Sequence, residues 1–278
     1  MMLPTHTATR YVVPLREGSS LPAILDTEEA GLFVAKFRGT GQGARVLIAE
    51  LIVGLLAQHG GLPVPDLALI HLDAAFGRTE GDPEIQDILR GSRGLNVGLR
   101  YLDGAFTFNP VAVADFVSPE MAADIVWLDA YTTNIDRTTR NPNLLLWEQR
   151  LWLIDHGAAL YFHHDWPSVD DARIHSPFLP IKDHVLLALA GDLRAADARM
   201  TAPVDDALHR ILAVVPDALL MDAPGGHAPP FASAEENRTA YVDYLSRRLQ
   251  GPRAFVDAAI EARRRVLDDP AQRLAYRR

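Results

Sequence analysis

Asp136, Asn141 and Asp155 are three oxygen-bearing side chains whose spacing allows them to gather around one cation. They lie in the stretch Thr133–Gly157, TNIDRTTRNPNLLLWEQRLWLIDHG. Asp136 and Asn141 sit in a polar loop. Two short apolar runs follow, Asn143–Trp147 and Leu151–Ile154, joined by Glu148-Gln149-Arg150 and closed by Asp155. That pattern predicts a tight β-hairpin. In a hairpin the start of one strand lies beside the end of the other, so the three side chains are expected at one end of a single ribbon. Two carboxylates and an amide oxygen form a hard-oxygen set of the kind Mg²⁺ takes. A buried hairpin with polar ends is the simpler alternative, but it leaves unexplained why three ligand-type side chains share one end.

A second pair of residues stands out earlier in the chain. Of the 27 basic residues, only Lys36 and Lys182 are lysine. Arginine's wide fork does not replace a compact ammonium at a crowded phosphate site. Lys36 alternates with Leu32 and Val34, so its stem shares an apolar face, a pattern that a snorkelling edge lysine also gives. Glu50 lies in a predicted helix over Arg45–His59, closed by Gly60-Gly61. Its helical neighbours are Gly43, Val46, Leu47, Val53, Gly54 and Ala57, none of them polar. A carboxylate on such a face needs a partner, because an unpaired buried charge is prohibitive. Lys36, on the strand just before, is the nearest one.

The elements that must position these groups read as follows. Strands are expected over Tyr11–Leu15, Leu21–Leu25 and Leu32–Phe37, with Pro22 marking the second as an edge. Between the first two, Glu17-Gly18-Ser19-Ser20 is a turn whose N–H groups and hydroxyls suit an anion, although most such turns are only turns. Gly39–Gly43 is a flexible connection without the Gly-Lys-Ser/Thr of a Walker loop. A strand over Leu67–Leu72, a helix from Asp82-Pro83-Glu84 to Arg90 and a strand over Leu95–Leu102 lead to a crossover near Asp103-Gly104. The remainder is helical. Helices are expected after Asn109-Pro110, from Ser118-Pro119-Glu120 to Tyr131, and over Ile181–Ala190, Val204–Val215, Ala234–Gln250 and Arg253–Asp268. Ala158–Pro180 is irregular. His163, His164, Asp165 and His175 within or beside it raise a transition-metal reading, but their spacing matches no metal motif.

Composition bounds the function. A chain of 278 residues, 48% hydrophobic and 23% charged, has room for one large domain or two lobes. Net charge −9 argues against a broad nucleic-acid surface. The absence of cysteine excludes disulfides and thiolate metal sites. No signal-peptide pattern opens the chain, and the longest apolar stretch, Val46–Ala57, is broken by Glu50 and too short for a bilayer. A cytoplasmic protein without a membrane span is expected.

The order of parts is strands with a lysine, a helix with a lone glutamate, a linker, then helices carrying an Asp–Asn loop, a hairpin and an Asp. That order resembles a bilobal phosphotransferase. The run Asn134-Ile-Asp-Arg-Thr-Thr-Arg-Asn141-Pro-Asn143, followed by Leu153-Ile-Asp-His-Gly157, resembles the HipA-like kinase family. It is also similar to the Asp-Arg-x-x-x-Asn loop of phosphoinositide kinases. Glu17-Gly-Ser-Ser-x-Pro22 with Phe33-Val-Ala-Lys-Phe37 resembles the compact bacterial members, and the likeness spans nearly the whole chain.

The resemblance implies an α+β, bilobal, protein-kinase-like fold. Residues 1–103 would form a lobe of small antiparallel sheet with one helix, and residues 104–278 a mainly helical lobe. It implies an ATP-dependent, Mg²⁺-assisted phosphotransferase. Asp136 would be the base or orienter of the acceptor hydroxyl, with Asn141 and Asp155 on Mg²⁺. Lys36 would meet the α/β-phosphates, Glu50 would hold Lys36, and Ser19 and Ser20 would cover the phosphates. The chain departs from eukaryotic protein kinases in having Asp155-His-Gly where they have Asp-Phe-Gly. Arg137 follows the catalytic aspartate with no His-Arg before it, and the phosphate turn has one glycine. Asn143 rivals Asn141 as a ligand. The acceptor expected from HipA-like kinases is a protein Ser or Thr, with Ser19 or Ser20 as a self-site. A lipid or small polyol, and a nucleotide-binding pseudokinase scaffold, use the same residues.

Overall fold

Five strands close on one another: β1 (Thr5–Pro14), β2 (Ala23–Thr27), β3 (Gly31–Lys36), β5 (Gly94–Arg100) and β4 (Leu67–Leu72), in that order, form a barrel. The computed structural model describes residues 2–15, 21–41, 43–78, 80–109, 116–222 and 229–269. All pairings are antiparallel except the closing one, in which Thr5–Thr7 of β1 runs parallel to Leu69–His71 of β4. The expected small antiparallel sheet is therefore corrected to a closed barrel with one parallel pairing. The cause is β1, which begins six residues before the predicted start at Tyr11. Its first part meets β4 and the rest meets β2, with register shifts at Ala8/Arg10 and Tyr11/Val13. Bulges bend and twist a strand, letting it serve two neighbours, and closure leaves no edge to protect. β2 is accordingly not an edge; Pro22 stands just before it, where its missing N–H breaks no ladder bond.

Leu25, Phe33, Ala35, Ala68 and Ile70 fill the barrel core, joined by Ile85 and Leu89 of α2 (Pro83–Gly91). Asp82 caps α2 by accepting from the N–H groups of Glu84 and Ile85. This part of the chain thus carries two helices. The other is α1 (Ala44–His59), which is apolar and buried on every side. It shares a core with Leu67, Leu69, Val97 and Leu99 of the barrel wall and with the helices that follow.

Past the barrel, β6 (Phe106–Thr107), β7 (Leu144–Trp147) and β8 (Arg150–Leu153) make a small sheet. α3 (Pro119–Tyr131) starts where Ser118 accepts from the Met121 N–H. It is followed by α4 (Asp171–Ile174), α5 (Leu193–Val214), α6 (Asp217–Leu220), α7 (Ala234–Gln250) and α8 (Ala254–Asp268). α7 opens on a capping box, in which Ser233 accepts from Glu236 N–H and the Glu236 side chain accepts from Ala232 N–H.

Two helical expectations are corrected. Ile181–Ala190 is not a helix but a 3₁₀ turn over Leu179–Asp183 followed by further turns. Two of its backbone donors are diverted from helical bonds: Val185 N–H goes to the Arg137 carbonyl, and Leu186 N–H to Nδ1 of His184 within the same segment. α5 begins eleven residues before the predicted start at Val204, capped by Asp192, and carries Pro203 in its interior. The helix expected after Asn109-Pro110 and the turn holding Ser19 and Ser20 lie outside the described residues. No helix among the described residues is long and apolar enough to cross a membrane.

Candidate active site

The β7–β8 hairpin turns through Glu148 and Gln149, both at positive φ (48° and 60°), the two-residue connection that matches strand twist. Leu144 pairs with Leu153, so the next residues outward are Asn143 and Ile154, and Ile154 N–H donates to the Asn143 carbonyl at 3.1 Å. Asp155 follows at once. The side-by-side start and end predicted for this ribbon are present.

Asp136 is half-buried in the loop that leads into the hairpin. Asn141 Nδ2 donates to its Oδ2 at 2.8 Å. Asn143 Nδ2 donates to its carbonyl at 3.1 Å and to Oδ2 at 3.3 Å. Burial pushes the Asp136 carboxyl above the ordinary value; the Asn143 bond opposes this and the neighbouring Asp155 charge adds to it.

From the barrel side, Lys36 Nζ lies 2.5 Å from Glu50 Oε2 and 2.5 Å from Asp155 Oδ1. Glu50 is fully buried. It also accepts from His156 N–H at 2.9 Å, and its Oε1 lies 3.2 Å from His156 Nδ1. Burial disfavours both charges of the pair. Their mutual attraction outweighs it, with help from Asp155 on one side and His156 on the other. The Lys36 ammonium is therefore held above its usual range and the Glu50 carboxyl is lowered to about 2. Gly157 permits this close approach: a Cβ there would fall 2.5 Å from Val46 Cγ1 and 3.5 Å from Lys36 Nζ.

Lys36, Asp136, Asn141, Asn143 and Asp155 line one cavity of about 610 Å³, with Val34, Val46, Leu99 and Leu102 among its apolar walls. Pro14, Leu15 and Pro22, which flank residues 16–20, line it too. Glu50 stands behind Lys36 and does not reach the cavity. A second cavity, of about 1020 Å³, opens beyond Arg140 and is lined by Lys182, Glu261 and Arg265 among others. It is larger, and Glu261 there is engaged by Arg264 and Arg265 along α8. The smaller cavity is the one on which the sequence-predicted residues Lys36, Asp136, Asn141 and Asp155 meet. His163, from the histidine-rich segment, is buried against Tyr241 Oη at 2.9 Å. Among the described residues no group of three or more His, Asp or Glu forms a metal cluster.

The sequence profile of a kinase family, described as HipA-like kinase, matches residues 10–225. The chain belongs to the HipA-like kinase family. Among solved structures it is similar to the Helicobacter pylori proinflammatory kinase CtkA, at 12% identity and a TM-score of 0.54, covering 96% of this chain and 100% of that one. At that identity the likeness speaks to the fold alone. No curated protein sequence matches the chain.

This HipA-like kinase also contains a buried cluster that the sequence reading missed. Asp129 of α3 is fully buried and receives Arg137 Nε at 2.6 Å, Asn134 Nδ2 at 2.9 Å and His184 Nε2 at 2.9 Å. His184 Nδ1 accepts from Leu186 N–H, so its proton sits on Nε2 and faces Asp129. Burial, partly offset by Asp129, keeps the ring's pKa low. The Asp129 carboxyl is held well below the usual carboxylate range, because Arg137 and His184 outweigh the effect of burial. Arg137 then grips the Asn143 and Ile154 carbonyls with Nη1, and Asn134 Oδ1 accepts the Asp136 N–H at 3.1 Å. A partial signal was available: Asp129 follows Ala122, Ile125 and Val126 on its helical face, although Thr132 and Thr133 come after it.

Proposed function

We propose that this HipA-like kinase transfers the γ-phosphoryl group of ATP to a protein Ser or Thr hydroxyl, with the nucleotide lying between a lobe of residues 1–103 and a lobe of residues 104–278. The observation that carries the reading is Lys36, held at 2.5 Å by both Glu50 and Asp155 on the wall of a cavity that Asp136 shares. Phosphoryl transfer asks for positioning and charge neutralisation more than covalent chemistry. Lys36 supplies a compact positive charge at the α/β-phosphates, and Glu50 keeps it aimed. Asp136 orients the acceptor hydroxyl and takes its proton, while Asn141 and Asn143 fix its carboxylate. Ser19 and Ser20 are proposed to cover the phosphates.

Mg²⁺ fits the donor chemistry, since two carboxylates and two amides offer only hard donor atoms, and this ion fills its remaining positions with phosphate and water. Asp155 and Asn141 are the proposed ligands, with Asn143 the rival. When bound, the ion would neutralise phosphate charge. The positive φ of 54° at Asp155 and of 50° at Asn143 turns the backbone sharply at both.

Incubation of the purified chain with γ-labelled ATP and Mg²⁺, followed by mass spectrometry of the chain itself, tests the proposal. Label on a Ser or Thr is expected. Asp136→Asn is expected to keep nucleotide affinity and to lower turnover by about 10²–10⁴-fold; an unaltered turnover number would remove Asp136 from the reaction. Nucleotide binding without transfer would favour a scaffold, and transfer only to an added alcohol would favour a small-molecule or lipid kinase.

A further inference from the structure

His156 follows Asp155 directly, yet its side chain turns away from the cleft. Asp155, Gly157 and Ala158 line the cavity, and His156 does not. It is fully buried against α1 instead, where its backbone N–H holds Glu50 Oε2 and its ring faces Glu50 Oε1. One residue therefore meets both oxygens of the glutamate that positions Lys36. His156 Nε2 has no hydrogen-bond partner among the described residues. The neutral ring with its proton on Nδ1 leaves no buried N–H unpaired, so Nδ1–H is the donor to Glu50.

Lys36 touches Glu50 through Oε2 alone. Without the ring, Oε1 has no donor and the carboxylate is free to rotate. We infer that His156 is a positioning residue, whose Nδ1–H fixes the plane of the Glu50 carboxylate and so keeps Lys36 between Glu50 and Asp155. It also anchors the chain immediately after the left-handed turn at Asp155 (φ 54°) to α1, so the two walls of the cleft are tied by one residue. The catalytic consequence rests on the kinase reading; the restraint on Lys36 does not.

Two substitutions separate this role from simple packing. Asparagine places an amide nitrogen where Nδ1 lies, and glutamine places one where Nε2 lies. Asparagine also removes more volume, so a packing role makes His156→Asn the worse variant, whereas the proposed role makes His156→Gln the worse one. Lys36 and Lys182 are the only lysines, so acylation of Lys36 by an amine-reactive reagent is read by mass spectrometry with Lys182 as internal reference. In His156→Gln the Lys36/Lys182 labelling ratio is expected to rise about ten-fold, the scale of one lost buried hydrogen bond. In the same variant kcat for Mg²⁺-dependent ATP turnover is expected to fall by about as much, with a smaller change in KM. His156→Asn is expected to recover most of both.

Labelling in His156→Gln that matches the wild type, or faster labelling in the asparagine variant than in the glutamine one, would overturn the inference. Should the glutamine variant fail to fold, the asparagine variant decides: labelling near wild type supports the role and fast labelling refutes it. A wild type that turns over no ATP while the labelling order holds would end the kinase reading and leave the His156 restraint standing.

Discussion

Glu50 and Asp129 are both buried carboxylates on helices with apolar surroundings, and each is held by a cation and a histidine. The cations differ, and so do their destinations. Lys36 is a single compact charge that touches Glu50 and also reaches Asp155 on the cavity wall. Arg137 is a planar fork: Nε goes to Asp129 and Nη1 to main-chain carbonyls at the start and end of the hairpin, while buried Nη2 has no partner among the described residues. Arg137 does not line the cavity. A lone carboxylate in an apolar helix thus marks a region under functional constraint, and its partner tells which kind. The lysine pair presents charge to the cavity, while the arginine pair holds the frame on which Asp136, Asn143 and Asp155 are mounted.

If that division is right, breaking the two pairs has different consequences. The largest expected effect is on stability, from Asp129→Ala. It leaves Arg137 buried without its counter-charge and Asn134 and His184 without their acceptor, and is expected to cost about 3–5 kcal/mol in a urea titration. A loss of under about 1 kcal/mol would deny Asp129 its framing role. The next effect is on activity, from Lys36→Met. Removing one preorganised charge from a transfer site is expected to lower ATP turnover by about 100-fold. It also leaves Glu50 buried without its cation, though still held by His156, so its loss of stability is expected to reach at most that of Asp129→Ala. A fully active Lys36→Met would take the lysine out of the site. A variant less stable than Asp129→Ala would erase the distinction between the two clusters.

Glu50 and Lys36 were legible in the sequence because each is odd where it stands: the carboxylate has no polar helical neighbour, and lysine is rare in this chain. Asp129 is less odd, because only its preceding helical neighbours are apolar and Thr132 and Thr133 follow it. Its partner, moreover, is an arginine in a chain where arginine is the ordinary cation, so nothing in the loop points back at the helix. His184 left no local trace at all. Its segment carries an apolar pattern that reads as a helix, but it turns instead, with the Val185 N–H given to the Arg137 carbonyl of the loop and the Leu186 N–H to the ring of His184 itself. The hairpin was legible to within one residue, Arg150, which was expected in the connection but pairs with Trp147 in β8, because its register is fixed by a short connection within the segment. Closure of the barrel was not, because THTATR at the start of β1 has no apolar run, and its partner β4 lies some sixty residues away in sequence. Local pattern thus located residues that meet at one cavity, while long-range pairing and the supporting frame had to be seen.

The gentlest way to sharpen the comparison is acid. Glu50 ordinarily titrates near 4.5, and in the fold it is lowered to about 2. Burial alone would raise it; Lys36 and the His156 contacts reverse that. A carboxyl whose folded value is depressed stabilises the protein fully above its unfolded value and loses that contribution as pH falls toward the folded one. Between pH 4.5 and about 2 the unfolded chain takes up a proton that folded Glu50 refuses, and stability drops by up to about 1.4 kcal/mol per pH unit from this group. Glu50→Gln has nothing to titrate there, whereas Asp129 is present in both proteins and its contribution cancels between them. The stability gap between wild type and Glu50→Gln, measured by urea titration at a series of pH values, should therefore be constant above 4.5 and should change steadily below it, in the direction of a weaker wild type. A gap that stays flat through that window would mean the ammonium does not hold Glu50 ionised, and the lysine cluster would then be no more than packing.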